Sequence, residues 1–138
     1  WMGARAQAEV FDAYRAADLF ILPSKIADDG DRDGMPNVLM EAASQGLCCL
    51  ASDVAGVAEL LRHGETGWLV PSDDAAALAQ AIVALASDPE RRLALGMAGL
   101  ERVTKSFDHV SGLSVICRLL RLSPAEAGMD DASLDTAQ

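Results

Sequence analysis

Three short and solidly apolar runs constrain the fold of this chain more than any other feature of its sequence. They are DLFILPS (18–24), LCCLAS (47–52) and TGWLVP (66–71), each bounded by proline, glycine or polar residues. Solid apolar runs of this length are typical of buried strands, since half-exposed strands alternate apolar and polar residues. Segments with helical spacing of apolar residues separate them. The alternation predicts an α/β fold in which a parallel sheet is covered on both faces by helices.

The helical segments are predicted over 6–17, 36–45, 56–64, 73–87, 88–107 and 110–122. Pro36 suits the first turn of its helix and Gly46 the stop. Asp88 is expected to cap the helix that starts at Pro89. Three strands are too few for a complete doubly wound domain, so we expect residues 1–122 to form a partial Rossmann-like sheet. Residues 123–138 are small, polar and acidic, and are predicted to be a disordered tail.

Charge and composition exclude several classes of function. The formal net charge is −10, whereas nucleic-acid binding needs a basic surface. No apolar run approaches the length of a membrane span, and no secretory signal opens the chain. Cys48, Cys49 and Cys117 form neither a metal-ligand spacing nor an even-numbered disulfide framework, so we interpret them as core residues of a cytoplasmic protein. Because translation does not begin with Trp, Trp1 predicts a fragment or a processed product.

The stretch RDGMPNVLME (32–41) carries the candidate site. Ligands of open parallel α/β sheets bind at the carboxyl ends of the strands, beside the loops that lead into helices. The loop KIADDGDRDG (25–34) and the start of the next helix occupy that place. A helix N-terminus suits a phosphate, and the expected backbone donors are Asn37, Val38 and Leu39, because proline has no N–H. Gly34 would let a ligand approach the backbone closely.

Helical geometry separates the side chains of this stretch into two faces. At about 100° per residue, one face carries the set Val38, Leu39, Ala42, Ala43 and Gly46, and the exposed face carries Asn37, Met40, Glu41 and Ser44. Glu41 therefore follows the candidate donors by one turn, and its carboxylate could accept two hydrogen bonds from a vicinal diol such as ribose. The residues also allow a plain structural interpretation, with Asp33 as a helix cap and Glu41 as a solvated helix residue.

Other residues have structural interpretations at least as good as functional ones. Ser24 follows the first strand and could lie near a nucleotide, but a loop serine is equally expected. Glu59 suits the surface of a short helix, and His63 a position near a helix end. Trp68 is typical of half-buried packing. No zinc-type, Ser/His/Asp or Walker-type arrangement is present in the sequence.

Several motifs in one collinear order resemble the C-terminal domain of glycosyltransferase family 4, which has the GT-B fold. The family pattern Glu-x7-Glu corresponds to Asp33 and Glu41, and EAASQG follows it. A D-x-x-G-x-x-E turn corresponds to Asp53, Gly56 and Glu59, and GETGWLVPSDD matches the family's third segment. The acidic loop before Asp33 looks most like members that build bacterial exopolysaccharides. The match runs from about Val10 to Leu120.

The resemblance implies a retaining transfer of a sugar from a nucleotide-diphosphate donor to a glycan or lipid-linked acceptor, without a metal or other cofactor. Glu41 would hold the ribose hydroxyls, and the amides around Val38 and Leu39 the diphosphate. Asp33 and the backbone of Gly34 and Met35 would contact the donor sugar. The full-length enzyme would be cytoplasmic or peripheral at the inner membrane face.

Two departures from the family pattern limit these expectations. Asp33 is one methylene shorter than the usual Glu, and the family's basic pair and its acceptor-binding N-terminal domain would precede Trp1. We therefore expect the isolated chain to be inactive, or to bind donor weakly. The alternatives are a GT-B sugar-nucleotide 2-epimerase and a non-catalytic nucleotide-binding α/β module.

Overall fold

The computed structural model describes residues 1–25, 34–54, 56–107 and 109–121. Asp33, most of the acidic loop before it and the tail 123–138 therefore lie outside the described residues. Backbone contacts divide the chain into two units, Trp1–Val103 and Thr104–Gln138. In the second unit the described helix is α6 (His109–Leu120).

The elements that start in the first unit follow the predicted alternation. In chain order they are α1 (Gln7–Ala16), β1 (Phe20–Leu22), α2 (Asn37–Ser44), β2 (Cys49–Ser52), α3 (Val57–Leu60), β3 (Trp68–Val70), α4 (Ala75–Ala86) and α5 (Pro89–Ser106). The strands are shorter than the apolar runs that predicted them. The run GVAELLRHG forms only four residues of helix, because the chain becomes extended at Leu61.

The three described strands form one parallel sheet in the order β1–β2–β3. Phe20 is opposite Cys49 in the first pair, and Leu50 is opposite Trp68 in the second. All four residues of the central strand β2 are buried. The predicted α/β class, with a partial Rossmann-like parallel sheet flanked by helices, is therefore confirmed.

Helices cover both faces of the sheet. On one face a core of buried residues joins β2 and β3 to α4 and α5; it consists of Cys48, Leu50, Val70, Ala81, Leu85 and Leu95. The alternation of strand side chains directs Cys49 and Ala51 to the other face, where α2 packs against β2. Leu39 of α2 and Leu60 of α3 are fully buried. The predicted packing role of Cys48 and Cys49 is confirmed, since both are free thiols in the core.

Helix α5 closes the amino edge of the sheet, where β2 and β3 begin. A Cβ at Gly96 would lie only 2.1 Å from the carbonyl oxygen of Gly46, and one at Gly99 would lie 3.0 Å from that of Thr66. The α5 backbone therefore rests directly on the two turns that lead into the strands, and larger residues at these positions would push it away.

The structure corrects one assignment of the helical faces. Val38 was expected on the buried face of α2 with Leu39, Ala42 and Ala43, but its side chain is 42% exposed while the other three are buried. The first turn of α2 lies at the end of the sheet, where no core residue covers this position. The same exposure leaves the start of α2 accessible to a ligand.

Candidate functional site

The carboxyl ends of the three described strands bring together the segments that the sequence singled out. Pro23 and Ser24 follow β1, Asp53 follows β2, and Pro71 follows β3. The N–H of Asp53 donates to the carbonyl of Val70 at 2.8 Å, which ties the second of these loops to the end of the third strand. Helix α2 begins in the segment that continues from β1. This edge is the place where parallel α/β sheets bind ligands.

The start of α2 differs from those of α4 and α5, because no side chain of the described residues caps it. The carboxylate of Asp74 accepts from the N–H of Ala77 at 2.8 Å in α4, and that of Asp88 accepts from the N–H of Arg91 at 2.9 Å in α5. The second of these confirms the predicted Asp88 cap. Pro36 precedes α2 and offers no cap bond. Asn37 and Val38 at the start of this helix are exposed, and no carboxylate of the described residues caps them.

The three predicted backbone donors of α2 differ in their surroundings. Asn37 and Val38 are exposed, and their N–H groups belong to the first turn, where no intrahelical acceptor is available. Leu39 is buried, and its N–H donates to the carbonyl of Pro36 at 3.0 Å. Asn37 and Val38 are therefore the better placed donors for an anion at this helix end.

Gly56 fixes the position of the segment just before α2. A Cβ added to Gly56 would lie 2.9 Å from the backbone nitrogen of Met35 and 3.1 Å from the carbonyl carbon of Gly34. The turn before α3 thus lies directly against Gly34 and Met35. In the sequence, Gly56 is only a motif position of the resemblance, and this contact shows why a glycine is needed there. On its Cβ side, Gly34 has open space, with no described atom within 4 Å of an added Cβ.

Glu41 lies midway along α2 and is half-buried rather than fully solvated. Its Oε2 accepts a hydrogen bond from the Tyr14 hydroxyl of α1 at 3.4 Å. Burial raises the pKa of Tyr14 above its ordinary value, and the adjacent Glu41 carboxylate raises it further. In the sequence, Tyr14 is only one residue of the predicted helical segment 6–17, and no motif marks it as a site residue.

Ser24 lines a small cavity of about 120 Å³ at the same edge, between the end of β1 and the start of α4. Lys25 lies beside it and forms an ion pair with Asp73 of the loop after β3. The hydrogen bond from Lys25, followed by its charge, lowers the pKa of Asp73. The ion pair therefore links the loops that follow the two outer strands.

The remaining candidates pack as structural residues. Trp68 is half-buried, with the guanidinium carbon of Arg91 4.7 Å from its ring centroid. His63 accepts a hydrogen bond from the N–H of Leu69 at 3.2 Å, and Glu59 is exposed. In the part of the chain that the structure describes, no three His, Cys, Asp or Glu side chains cluster as a metal site would require. No helix among the described residues is long and apolar enough to cross a membrane.

Comparison with known families identifies the family to which this chain belongs. A family model described as "Glycosyl transferases group 1" matches residues 1–88, which is more than half of the chain. The chain belongs to the glycosyl transferases group 1. The matched region contains the whole described sheet and the start of α2, so this family assignment covers the candidate site.

Relatives of this group 1 chain include several named glycosyltransferases. The chain is 36% identical over 107 residues to the amylovoran biosynthesis glycosyltransferase AmsK of Erwinia amylovora. The match covers 78% of this chain and 26% of AmsK. The chain thus spans about a quarter of the length of such curated relatives.

Comparison with solved structures finds proteins of similar fold. Sucrose-phosphate synthase of Thermosynechococcus elongatus is 34% identical, with a TM-score of 0.69, over 79% of this chain and 26% of the synthase. Anabaena HepE, solved in complex with UDP-glucose, superposes with a TM-score of 0.74 at 24% identity, over 85% of this chain and 30% of HepE. The match with HepE concerns the fold.

Proposed function

We propose that this chain is the donor-binding part of a retaining glycosyltransferase that acts in polysaccharide or glycoconjugate biosynthesis. It binds a nucleotide-diphosphate sugar, whose sugar passes to an acceptor glycan or lipid-linked sugar. One observation carries the proposal: among the described residues, no side chain caps the start of α2, which lies at the carboxyl edge one turn before Glu41. Membership of the glycosyl transferases group 1 supports it.

The geometry of α2 suits the chemistry of sugar transfer. As the bond between the anomeric carbon and the diphosphate oxygen breaks, its electron pair leaves with the diphosphate and the sugar acquires oxocarbenium character. The N–H groups of Asn37 and Val38, together with the positive end of the helix dipole, would stabilise the charge on the leaving group. These donors are fixed by the backbone, so they need no reorganisation during the reaction.

The other proposed contacts follow from position along the same segment. Glu41 would accept hydrogen bonds from the ribose hydroxyls, one turn beyond the diphosphate. Gly34 and Met35, which Gly56 holds in place, would lie against the donor sugar together with Asp33. Ser24 would lie near the nucleotide. We propose no metal in this role, and we propose a cytoplasmic location in keeping with the free buried thiols.

Calorimetric titration of the 138-residue chain with UDP, GDP and ADP, and with their glucose or mannose conjugates, tests the proposal. We expect weak binding of at least one nucleotide, in the millimolar to micromolar range, and no sugar transfer by the isolated chain. UDP-glucose is the first donor to test, because a similar fold binds it in HepE. A chain that binds none of these compounds at millimolar concentration contradicts the proposal.

A matched pair of variants locates the site. Glu41→Gln removes the ribose-binding carboxylate and should weaken nucleotide binding about tenfold or more, since hydrogen bonds to charged groups contribute about 1.5–3 kcal/mol. Glu90→Gln alters an exposed glutamate of the first turn of α5 and should change nothing. Equal affinity of Glu41→Gln and the wild type would exclude the ribose assignment.

A further inference from the structure

Tyr14 connects α1 to Glu41, the carboxylate of the candidate site that belongs to α2. Its ring packs edge-to-face on two aromatic rings, with centroid distances of 6.1 Å to Phe11 and 5.7 Å to Phe20. The first ring lies on the same helix and the second begins β1, so Tyr14 is held between a helix and the sheet. With the ring fixed in this way, the hydroxyl has a defined direction, and it points to Glu41.

A glutamate that binds a vicinal diol gains from being oriented in advance. Its three side-chain torsions must otherwise be fixed at the moment of binding, with a loss of rotamer entropy. The Tyr14 hydroxyl donates to Oε2 of Glu41, while Oε1 and the remaining lone pairs stay available for two ribose hydroxyls. The 3.4 Å separation between the two oxygens is longer than the usual O–H···O distance, so the hydrogen bond is weak.

We propose that Tyr14 is a positioning residue, which holds the Glu41 carboxylate in the orientation that receives the ribose diol of the donor. The inference rests on the proposed donor binding at α2. It adds a residue outside the RDGMPNVLME stretch to the site and assigns α1 a part in nucleotide recognition. Tyr14 acts through Glu41 and touches no reacting atom.

The same helix pair provides a matched control. Arg15 adjoins Tyr14 in sequence, and its Nε donates to Oε1 of Gln45 at the end of α2, at 3.1 Å. This bond also joins α1 to α2, but it does not involve Glu41. If Tyr14 served only to hold the two helices together, removal of either bond would affect nucleotide binding alike.

The experiment compares ribonucleotides with their 2′,3′-dideoxy analogues by calorimetry on the 138-residue chain. Tyr14→Phe keeps the aromatic ring and should weaken the best-bound nucleoside diphosphate about three- to tenfold, as expected for one hydrogen bond. The dideoxy analogue, which lacks the diol, should bind to Tyr14→Phe and wild type alike. Arg15→Met should bind both ligands as the wild type does, and Tyr14→Phe should add nothing to Glu41→Gln.

The outcomes separate this inference from the proposed function. If the wild-type chain binds no nucleoside diphosphate, the proposed function fails and the inference fails with it. If the wild type binds but Tyr14→Phe equals it, only the inference is overturned. It is also overturned if Tyr14→Phe weakens both ligands equally, or if Arg15→Met reproduces its effect.

A spectroscopic measurement tests the contact without any change at position 14. Tyr14 is the sole tyrosine of the chain, so tyrosinate absorbance reports this hydroxyl alone. Because the Glu41 carboxylate contributes to the raised pKa of Tyr14, Glu41→Gln should lower that pKa, whereas Glu90→Gln should not. An identical titration in wild type and Glu41→Gln would show that the two groups do not interact and would overturn the inference.

Discussion

The two edges of the sheet are built in opposite ways. At the amino edge, the α5 backbone touches the turns before β2 and β3 through Gly96 and Gly99. At the carboxyl edge, Gly34 has open space and the first turn of α2 is exposed. The first edge holds the fold together by close backbone contact, and the second leaves backbone donors and carboxylates accessible. The amino edge of the sheet is therefore closed by packing, whereas the carboxyl edge, where we propose donor binding, is open.

Charged side chains follow the same division. Near the amino edge, Arg102 donates to the carbonyls of Leu60 at 2.8 Å and Glu59 at 2.5 Å, and Arg92 donates to those of Leu85 and Ala86. Arginines thereby satisfy the carbonyls where α3 and α4 end, which favours those helix ends electrostatically. At the carboxyl edge, the carboxylate of Asp74 caps α4, whereas no side chain of the described residues caps α2. The starts of these two helices therefore differ at the same edge of the sheet.

The largest effect is expected from a methyl group at the amino edge. In Gly96→Ala the new Cβ would lie 2.1 Å from the Gly46 carbonyl oxygen, so α5 must move, at a cost of about 3 kcal/mol or more. Gly34→Ala is the matched variant at the carboxyl edge, where nothing lies within 4 Å. Urea unfolding should show a large loss of unfolding free energy for Gly96→Ala and almost none for Gly34→Ala. Gly34→Ala should instead weaken donor binding. Equal losses of stability would remove the distinction between the edges.

Gly56→Ala is expected to affect both stability and binding, because Gly56 touches the segment that precedes α2. Its Cβ would lie 2.9 Å from the Met35 nitrogen, and the resulting shift should lower the free energy of unfolding by about 1–3 kcal/mol. Nucleotide affinity should fall as well, because the amides of α2 move. Gly112→Ala, in open space on α6, is the control for the substitution itself. Unchanged affinity in folded Gly56→Ala would mean that the contact does not position the site.

An alkaline loss of stability is expected to originate in the core rather than at the carboxyl edge. Burial raises the pKa of Cys49 to about 12 and that of Cys48 to about 11, the latter despite an opposing effect of Arg92. Groups with raised pKa values stabilise the fold fully below the unfolded-state value near 9, and this contribution is lost as the pH rises toward 11–12. Above pH 9 the free energy of unfolding should fall by at most about 1.4 kcal/mol per pH unit for each thiol.

Chemical denaturation between pH 8 and pH 10.5, with a reducing agent present, measures this slope. Cys49→Ala should have a flatter pH dependence than the wild type, whatever its absolute stability, because it removes the more strongly shifted thiol. A slope that is the same in both proteins would assign the alkaline loss to other groups.

The smallest effect is expected from the ion pair at the carboxyl edge. Lys25 and Asp73 are largely exposed, with 71% and 61% of their side chains accessible, so salt and solvent screen their attraction. Because Lys25 lowers the pKa of Asp73, the pair stabilises the fold above the ordinary aspartate pKa and loses this effect as the pH falls. Lys25→Met should raise the pKa of Asp73, as carboxyl NMR shifts would report, with little change in unfolding at neutral pH. A loss of unfolding free energy in Lys25→Met comparable to that in Gly56→Ala would contradict this ranking.

The sequence alone predicted the elements whose signal lies in neighbouring residues. Solid apolar runs predicted the three parallel strands, and an Asp before Pro89 predicted the Asp88 cap of α5. Helical periodicity predicted that Glu41 lies one turn beyond the start of α2. It failed at Val38, because periodicity tells which residues share a helix face but not how far the core extends along it.

Tertiary structure alone decided which distant residues meet. The Tyr14 hydroxyl reaches Glu41 across 27 positions, Gly56 lies against Met35, and Gly96 against Gly46. These contacts depend on the order of the strands, on the packing of α1 beside α2 and on the absence of a Cβ, none of which leaves a periodic trace in the chain. The sequence thus located the stretch of the proposed site, and packing placed the Tyr14 hydroxyl beside its Glu41 carboxylate.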